Sequence, residues 1–188
     1  MPEVTIRFYE ELNEFLPRHL PRKKDLQYRY TVKTTVRNAI EAFNVPHTEV
    51  DLILVNGGSA GLDDTLEAGD RVSVYPQFET LDISKVSLIK QAPLRNPQFI
   101  VDVNLGKLAA YLRMLGFDTL YQNNFSDSYI VETAHRETRI ILTRDLGVLK
   151  YRSVNRGYYV RAQDPQAQIR EVVSHFSLQN FITPLTRC

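Results

Sequence analysis

Residues 99–117 read FIVDVNLGKLAAYLRMLGF, and they begin the pattern that predicts the fold of the second half of the chain. An apolar run of strand type ends at Asp102. Apolar residues then recur at the spacing of one helical face, at Leu105, Leu108, Ala109, Leu112 and Leu115. A strand followed directly by an amphipathic helix is the repeating unit of a parallel α/β sheet.

The same alternation continues to the end of the chain. Further strands are predicted at residues 117–121, 140–145 and 157–162, and further helices at 123–139, 147–153 and 164–176. Ser126 or Asp127 is the expected N-cap of the second helix. The closing helix is expected to bury Ile169, Val172, Val173 and Phe176. The pattern predicts an α/β domain whose parallel sheet is flanked by helices on both faces.

The first half of the chain has a different pattern. Strands are predicted at residues 4–9, 26–32 and 50–55, and Gly69 and Asp70 lead into a last strand over 71–75. The run TTVRNAIEAFNVP predicts a helix capped by Thr34 or Thr35 and stopped by Pro46. The expected domains are therefore residues 1–79 and 97–188, joined by a linker over 80–96 with one short element expected in LDISKVSLIK.

Composition excludes several classes of protein. The 188 residues contain no run of about 18 apolar residues that would span a bilayer, and MPEVTIRFYEEL does not have the features of a signal peptide. Cys188 is the only cysteine, so no internal disulfide can form. A cytoplasmic protein with no membrane partner is expected. Residues 1–94 carry 11 basic and 14 acidic side chains, whereas residues 95–188 carry 12 and 8, so the second half could weakly attract a polyanion.

Two predicted strands of the second half end in a carboxylate. Asp102 ends the first, and Asp145 ends the strand in RIILTRDLG. The carboxyl ends of parallel strands share one edge of a sheet, and Asp127 at the start of the intervening helix can reach it. Three acids crowded together repel one another unless a cation lies between them, and hard oxygen ligands suit Mg²⁺ or Mn²⁺. A metal held in this way can hydrolyse a phosphodiester, which predicts a nuclease.

Other side chains near that edge are candidates for contact with substrate. Thr143 is placed to orient water or a ligand carboxylate, and Arg144 to contact phosphate or face solvent. Lys107 and Arg113 lie on the predicted helix that follows Asp102. For both, exposure on a solvated helix face is the ordinary alternative to contact with substrate. Capping is the ordinary alternative for Asp127 and Asp145, whereas Asn104 is available as a cap and leaves Asp102 for the metal.

The first half resembles a ubiquitin-like β-grasp domain, on the order of its elements and on HTEVDLILVNG and LEAGDRVSVYP. It is most similar to the sulfur-carrier and molybdopterin-synthase small-subunit branch. Those carriers use a free C-terminal Gly-Gly, whereas Gly57-Gly58 lies in an internal turn here and the chain runs on past Pro76. A sulfur-carrier role is therefore excluded for this half, and a binding or scaffolding role with a protein partner is expected.

The second half resembles the Mut-seven C-terminal ribonuclease domain family, on FIVDVNLGKLAAYLRMLGFDT, FSDSYIVETA and RIILTRDLGVLK. The resemblance implies a PIN-like, metal-dependent ribonuclease that acts on RNA, with Asp102, Asp127 and Asp145 as its metal ligands. It also implies a fourth acid, for which Asp164 and Glu171 are the candidates. Family members usually continue into a four-cysteine zinc ribbon, whose first cysteine would be Cys188, so the ribbon is expected to be absent or truncated.

Two other readings of the second half stay open. One is a noncatalytic RNA-binding or adaptor protein with a vestigial acidic site. The other is a phosphatase with an aspartyl nucleophile, although Asn104 stands where its second aspartate is needed. Base stacking is a candidate role for Tyr111, Tyr158 and Tyr159, although packing in the core or at an edge is the role expected first. His135 and His175 are expected on the surface or at a helix C-terminus.

Overall fold

The computed structural model describes residues 1–77, 83, 85–89, 95–184 and 186. The chain divides into two compact units, Met1–Ala92 and Pro93–Cys188. Residues 81, 82, 84 and 90 of the short element predicted in the linker, and Cys188, lie outside the described residues. Each unit has its own sheet.

The first unit is built on a mixed five-stranded sheet. Its elements are β1 (Glu3–Phe8), β2 (Asp25–Arg29), α1 (Val36–Ala42), β3 (Leu52–Val55), β4 (Gly58–Ser59) and β5 (Arg71–Tyr75). The strand order is β2-β1-β5-β3-β4, with β1 and β5 parallel and the other pairs antiparallel. This arrangement is that of a β-grasp domain, so the predicted fold of this half is confirmed.

Local sequence explains these elements. In β1 the buried residues alternate with more exposed ones, and Val4, Ile6 and Phe8 enter the core. Thr35, one of the two predicted caps, accepts a hydrogen bond from the Asn38 amide at the start of α1. Gly57 has φ of +85° in the turn between β3 and β4, a conformation that favours glycine.

The second unit is built on a parallel four-stranded sheet covered by helices. Its elements are β6 (Phe99–Val101), α2 (Gly106–Met114), β7 (Thr119–Leu120), α3 (Asp127–Glu137), β8 (Ile140–Thr143), α4 (Leu146–Leu149), β9 (Gly157–Tyr159) and α5 (Pro165–His175). The strand order is β7-β6-β8-β9. The predicted α/β class is confirmed. β7 is shorter than expected because only Thr119 and Leu120 pair with β6, and α4 is shorter because it ends at Leu149, with Lys150 as its C-cap.

The strands of this sheet are apolar on both faces because each face carries helices. On one face, Ile100 and Ile141 pack with residues of α3 and α4, among them Ile130 and Val148. On the other face, a larger cluster joins the sheet to α2 and α5. Its buried members include Phe99, Val101, Leu108, Leu112, Leu142 and Val172. The face predicted for α5 is in place, with Val172 buried and the other three residues partly buried against the cluster.

The two edges of the parallel sheet differ in chemistry. At the amino ends of the strands, the buried guanidinium of Arg139 donates to Asp118 and Glu137, in each case over 2.7 Å, and to the Phe99 carbonyl oxygen over 3.2 Å. Buried charge is paired and hydrogen bonded there, which is what burial of an ion requires. The predicted acids lie at the opposite edge.

Candidate active site

The strand order creates a crevice between the carboxyl ends of β6 and β8. From β6 the chain first adds β7 on one side, and it then returns to add β8 on the other side. The helices that follow β6 and β8 therefore leave on opposite faces of the sheet. Ligands of open α/β sheets bind at such a switch point, outside the carboxyl ends of the strands.

Asp102 lies at this crevice, directly after β6. Only 4% of its surface is exposed. Its Oδ1 accepts a hydrogen bond from the Val103 amide over 2.6 Å, and its Oδ2 accepts one from the Thr143 hydroxyl over 2.7 Å. The carboxylate is therefore held in one orientation by a neighbouring strand.

Thr143 connects Asp102 to Asp145. The threonine ends β8 and is fully buried, and its Oγ1 accepts a hydrogen bond from the Asp145 amide over 2.9 Å. Asp145 is exposed, and its Oδ1 accepts from the Gly147 amide over 2.7 Å. One hydroxyl thus bonds to a buried carboxylate and to the backbone of an exposed one. We call these three residues the Asp102–Thr143–Asp145 cluster.

Both carboxylates also cap helices. Asp102 is the N-cap of a 3-10 turn over Val103–Leu105, and Asp145 is the N-cap of α4. The expectation that Asn104 would cap in place of Asp102 is wrong, because Asn104 lies inside that turn. Each aspartate therefore has a structural role beside any chemical one.

Asp127 is the first residue of α3 and is exposed. The cap of that helix is Ser126, whose Oγ accepts a hydrogen bond from the Tyr129 amide over 3.2 Å. Since α3 ends just before β8 begins, its start lies at the carboxyl edge of the sheet. Among the described residues, no group of three acidic, histidine or cysteine side chains is placed to hold a metal ion, so the three-aspartate site stays a prediction.

The predicted substrate-binding cations differ in their surroundings. Arg113 donates to the carbonyl oxygens of Thr119 and Tyr121, which fixes the end of β7 to α2. Arg144 donates to the carbonyl oxygens of residues 161 and 162. Lys107 is exposed in the first turn of α2. The structure gives the two arginines structural contacts and leaves the lysine at the surface.

The two candidates for a fourth acid hold backbone groups. Glu171 accepts hydrogen bonds from the Tyr158 hydroxyl and from the amides of Arg161 and Ala162, each over 2.8 Å. Asp164 caps α5 by accepting from the Ala167 amide over 2.9 Å. Both therefore organise the connection from β9 to α5.

Aromatic residues near α5 form a packed group. Tyr158 is buried, and its ring lies 3.9 Å from that of His175, centroid to centroid. Burial, with a smaller contribution from the positive charge of Arg161, lowers the pKa of His175 to about 4. A helix C-terminus would favour the charged form, so burial outweighs the dipole here. His175 is the last residue of α5, which agrees with the expected helix-end position. Its packing on Tyr158 and its burial were not visible in the sequence.

Sequence reasoning did not identify two aromatic residues near the carboxyl edge. Tyr121 donates from its hydroxyl to the Val103 carbonyl oxygen, and a Cβ on Gly106 would lie only 2.5 Å from that hydroxyl. Tyr129 is exposed in the first turn of α3 and packs on Phe125. The sequence offered one signal for each. Gly106 lies inside a helical run, and Phe125 and Tyr129 are four residues apart.

These features define a class of protein: a β-grasp domain in one chain with a parallel α/β domain that carries an acidic pair at its switch point. Residues 1–82 match the family described as Mut7-C ubiquitin, and residues 97–188 match the family described as Mut7-C RNAse domain. The two family models match the first and the second half of the chain respectively, and the predicted resemblance of the second half is confirmed.

Two solved structures are similar to part of the chain. Both are of small archaeal modifier protein 1 from Haloferax volcanii, at 15% identity and a TM-score of 0.34. The matches cover 42% of this chain and 100% or 99% of the modifier chains. The comparison with curated proteins finds no match.

Within the part of the chain that the structure describes, no helix is long and apolar enough to cross a membrane.

Proposed function

We propose that the second unit is a PIN-like, metal-dependent ribonuclease that hydrolyses RNA phosphodiester bonds. The observation that carries the proposal is the Asp102–Thr143–Asp145 cluster at the switch point of a parallel sheet. The match to the RNAse-domain family supports RNA as the substrate. The β-grasp unit is proposed to bind a protein partner.

The residues of the cluster fit a divalent cation. Mg²⁺ is commonly held by one or two carboxylates, with water and substrate phosphates completing its coordination. Asp102 and Asp145 supply two carboxylates of that type, and Thr143 supplies a neighbouring hydroxyl oxygen. Asp127 would add a third carboxylate from the first turn of α3. Mn²⁺ accepts the same oxygen ligands.

The residues of the chain have separate tasks in this proposal. Thr143 and the Val103 amide fix the carboxylate of Asp102, and the Gly147 amide fixes that of Asp145. Fixed ligands lower the reorganisation needed when the substrate binds. A bound ion supplies Lewis-acid polarisation of the phosphate and a stronger nucleophile at neutral pH. Lys107, in the first turn of the helix that follows β6, attracts the phosphate backbone.

The test is cleavage of labelled single-stranded and structured RNA with Mn²⁺ or Mg²⁺. The substitutions Asp102→Asn and Asp145→Asn are expected to reduce the rate by at least about 100-fold, and Asp127→Asn is expected to reduce it if the third carboxylate takes part. Glu132→Gln is the matched control, because it removes an exposed carboxylate elsewhere on α3. Cleavage by the Asp102 and Asp145 variants at the wild-type rate would show that the site is assigned wrongly.

A noncatalytic RNA-binding or adaptor protein is the second candidate. The observation that favours it is that Asp102 and Asp145 both cap helices, so the fold alone accounts for an acid at each position. RNA binding that is independent of divalent metal, with no cleavage under any metal condition, would support this candidate over the first.

A further inference from the structure

An aromatic pair stands at the start of α3. The rings of Phe125 and Tyr129 have centroids 4.5 Å apart and are tilted by 32°. Phe125 is partly buried and packs against the cluster that contains Ile100 and Ile130. Tyr129 is 43% exposed, whereas the aliphatic residues of the same helix, Ile130, Val131 and Ala134, are buried. The pair therefore has one ring anchored in the core and one ring open to solvent.

The exposed ring is held in place from two directions. The amide of Tyr129 donates to the Oγ of Ser126, the N-cap of α3, which fixes the backbone of the first turn. The contact with Phe125 supports the ring from below. An aromatic ring fixed in this way loses little conformational entropy on binding, so it is suited to recognition of a flat ligand.

The pair also lies at the acidic edge of the sheet. Residues of α3 pack on Ile100 of β6 and Ile141 of β8, the two strands that lead into Asp102 and Asp145. The last turn of α3 is close to the amino end of β8, because the Arg139 amide donates to the Ala134 carbonyl oxygen and β8 begins at the next residue. The first turn, with Tyr129, is therefore at the carboxyl end of the same strands.

We propose that Tyr129, supported by Phe125, stacks on an unpaired base of the RNA and so positions the adjoining backbone at the Asp102–Thr143–Asp145 cluster. This inference rests on the proposed ribonuclease function for its choice of ligand. Tyr129 is a positioning residue: it holds the strand by a base, and it does not touch the reacting phosphate. Stacking favours single-stranded RNA over duplex, because the bases of a duplex are already stacked on one another. It is tolerant of sequence, because every base has a flat π face.

The three tyrosines considered from the sequence are less suitable. Tyr158 is buried, and Tyr111 and Tyr159 are partly buried. A purely structural role for the Phe125 and Tyr129 contact would resemble a hydrophobic staple, in which a residue before the N-cap packs on the first helical turn. A structural staple needs only apolar contact at position 129, whereas base stacking needs a flat ring there. An experiment that removes the flat ring but keeps the apolar bulk therefore separates the two roles.

The experiment uses the full chain and a short single-stranded RNA that contains the fluorescent base 2-aminopurine. Binding is measured in EDTA, so that the RNA stays intact. Tyr129→Phe keeps a flat ring, whereas Tyr129→Leu keeps apolar bulk without one, and Tyr129→Ala removes both. Tyr151→Ala is the control, because Tyr151 is exposed to a similar degree, 46%, but follows α4 on the way back to the amino end of the sheet.

We expect the wild type, Tyr129→Phe and the Tyr151→Ala control to quench the fluorescence and to bind alike. We expect Tyr129→Leu and Tyr129→Ala to lose the quenching and to bind about tenfold or more weakly, which is the usual size of a stacking contact. In cleavage assays with Mn²⁺, KM should rise by the same factor while kcat stays within about twofold, because stacking is equal in the ground and transition states. Thermal unfolding of each variant shows whether it is folded.

The outcomes separate this inference from the proposed function. Quenching and binding by folded Tyr129→Leu at the wild-type level overturn the inference, whether or not the protein cleaves RNA. Quenching that depends on a flat ring at position 129, in a protein that never cleaves RNA, supports the base contact and overturns the ribonuclease. If the wild type neither quenches nor binds, the inference is wrong.

Discussion

Single residues decide the chemistry at the carboxyl edge of the parallel sheet. Thr143 makes two hydrogen bonds through one hydroxyl, as a donor to Asp102 and as an acceptor from Asp145. The residue type matters because valine, which has the same shape but no side-chain oxygen, would fill the space and make neither bond. A buried carboxylate that loses a donor is costly, since the lost bond cannot be replaced by water.

Thr143→Val is therefore expected to destabilise the fold by about 1–3 kcal/mol and to reduce cleavage of RNA. Thr143→Ser keeps the hydroxyl and is expected to retain most of both. Urea unfolding and cleavage rates, measured on the same preparations, check this. Equal stability of the valine variant and the wild type would show that the hydroxyl does not hold the buried carboxylate.

At the scale of elements, the connection from β9 to α5 is organised by acids and by Arg144. Glu171 binds the amides of Arg161 and Ala162, and Arg144 binds the carbonyl oxygens of the same two residues. The amides and the carbonyl oxygens of Arg161 and Ala162 are thus all hydrogen bonded to side chains. The segment follows β9 and so lies at the carboxyl edge of the sheet, where it flanks the candidate site.

This arrangement predicts a structural role for Glu171. Glu171→Gln replaces an oxygen that accepts with a group that donates, so the free energy of unfolding should fall by about 1–3 kcal/mol. Cleavage per folded molecule should stay near the wild-type value. Unfolding in denaturant measures the loss of stability, and cleavage assays at low temperature measure the activity. Asp164→Asn is the companion variant, and it should keep both properties because asparagine is an equally good N-cap. Loss of cleavage in a fully folded Glu171→Gln protein would instead identify Glu171 as the fourth acid.

The packing of α5 on β9 predicts a dependence of stability on pH. The pKa of His175 is about 4 in the folded protein and 6.5 when unperturbed, so the unfolded state binds more protons between these values. The stability from neutral His175 is present above pH 6.5 and is lost as the pH falls toward 4. From pH 7 to pH 5 the contribution of this group should decrease by about 2 kcal/mol. Urea midpoints of the wild type and of His175→Gln check this, because the variant should lack that part of the pH dependence.

At the scale of the whole molecule, the two units have separate sheets and separate buried residues. The second unit covers both faces of its sheet with its own helices. We expect residues 93–188, produced alone, to fold and to unfold in one cooperative thermal transition, because their core is complete. Circular dichroism measures this, and Mn²⁺-dependent cleavage should be retained. Residues 1–92 serve as the control and should not cleave RNA.

Much of this architecture was predictable from the sequence because the signals are local. The alternation in β1, the helical spacing in α2 and α5, and caps such as Thr35 and Ser126 depend on residues a few positions apart. Boundaries of short elements were less accurate, as in β7, whose pairing with β6 fixes its length. The cap expected at Asn104 is wrong, because the 3-10 turn begins at Val103 and Asn104 lies inside it.

Local patterns in the sequence were enough to predict two domains, the class of each, and a carboxylate after each of two buried strands. The folded chain was needed to show that β6 and β8 are neighbours, that Thr143 bonds to Asp102, and that Tyr129 is an exposed ring at that edge. The physical reason is distance along the chain: periodicity and capping act over a few residues, whereas strand order and side-chain contact join residues about forty positions apart, as Asp102 and Thr143 are.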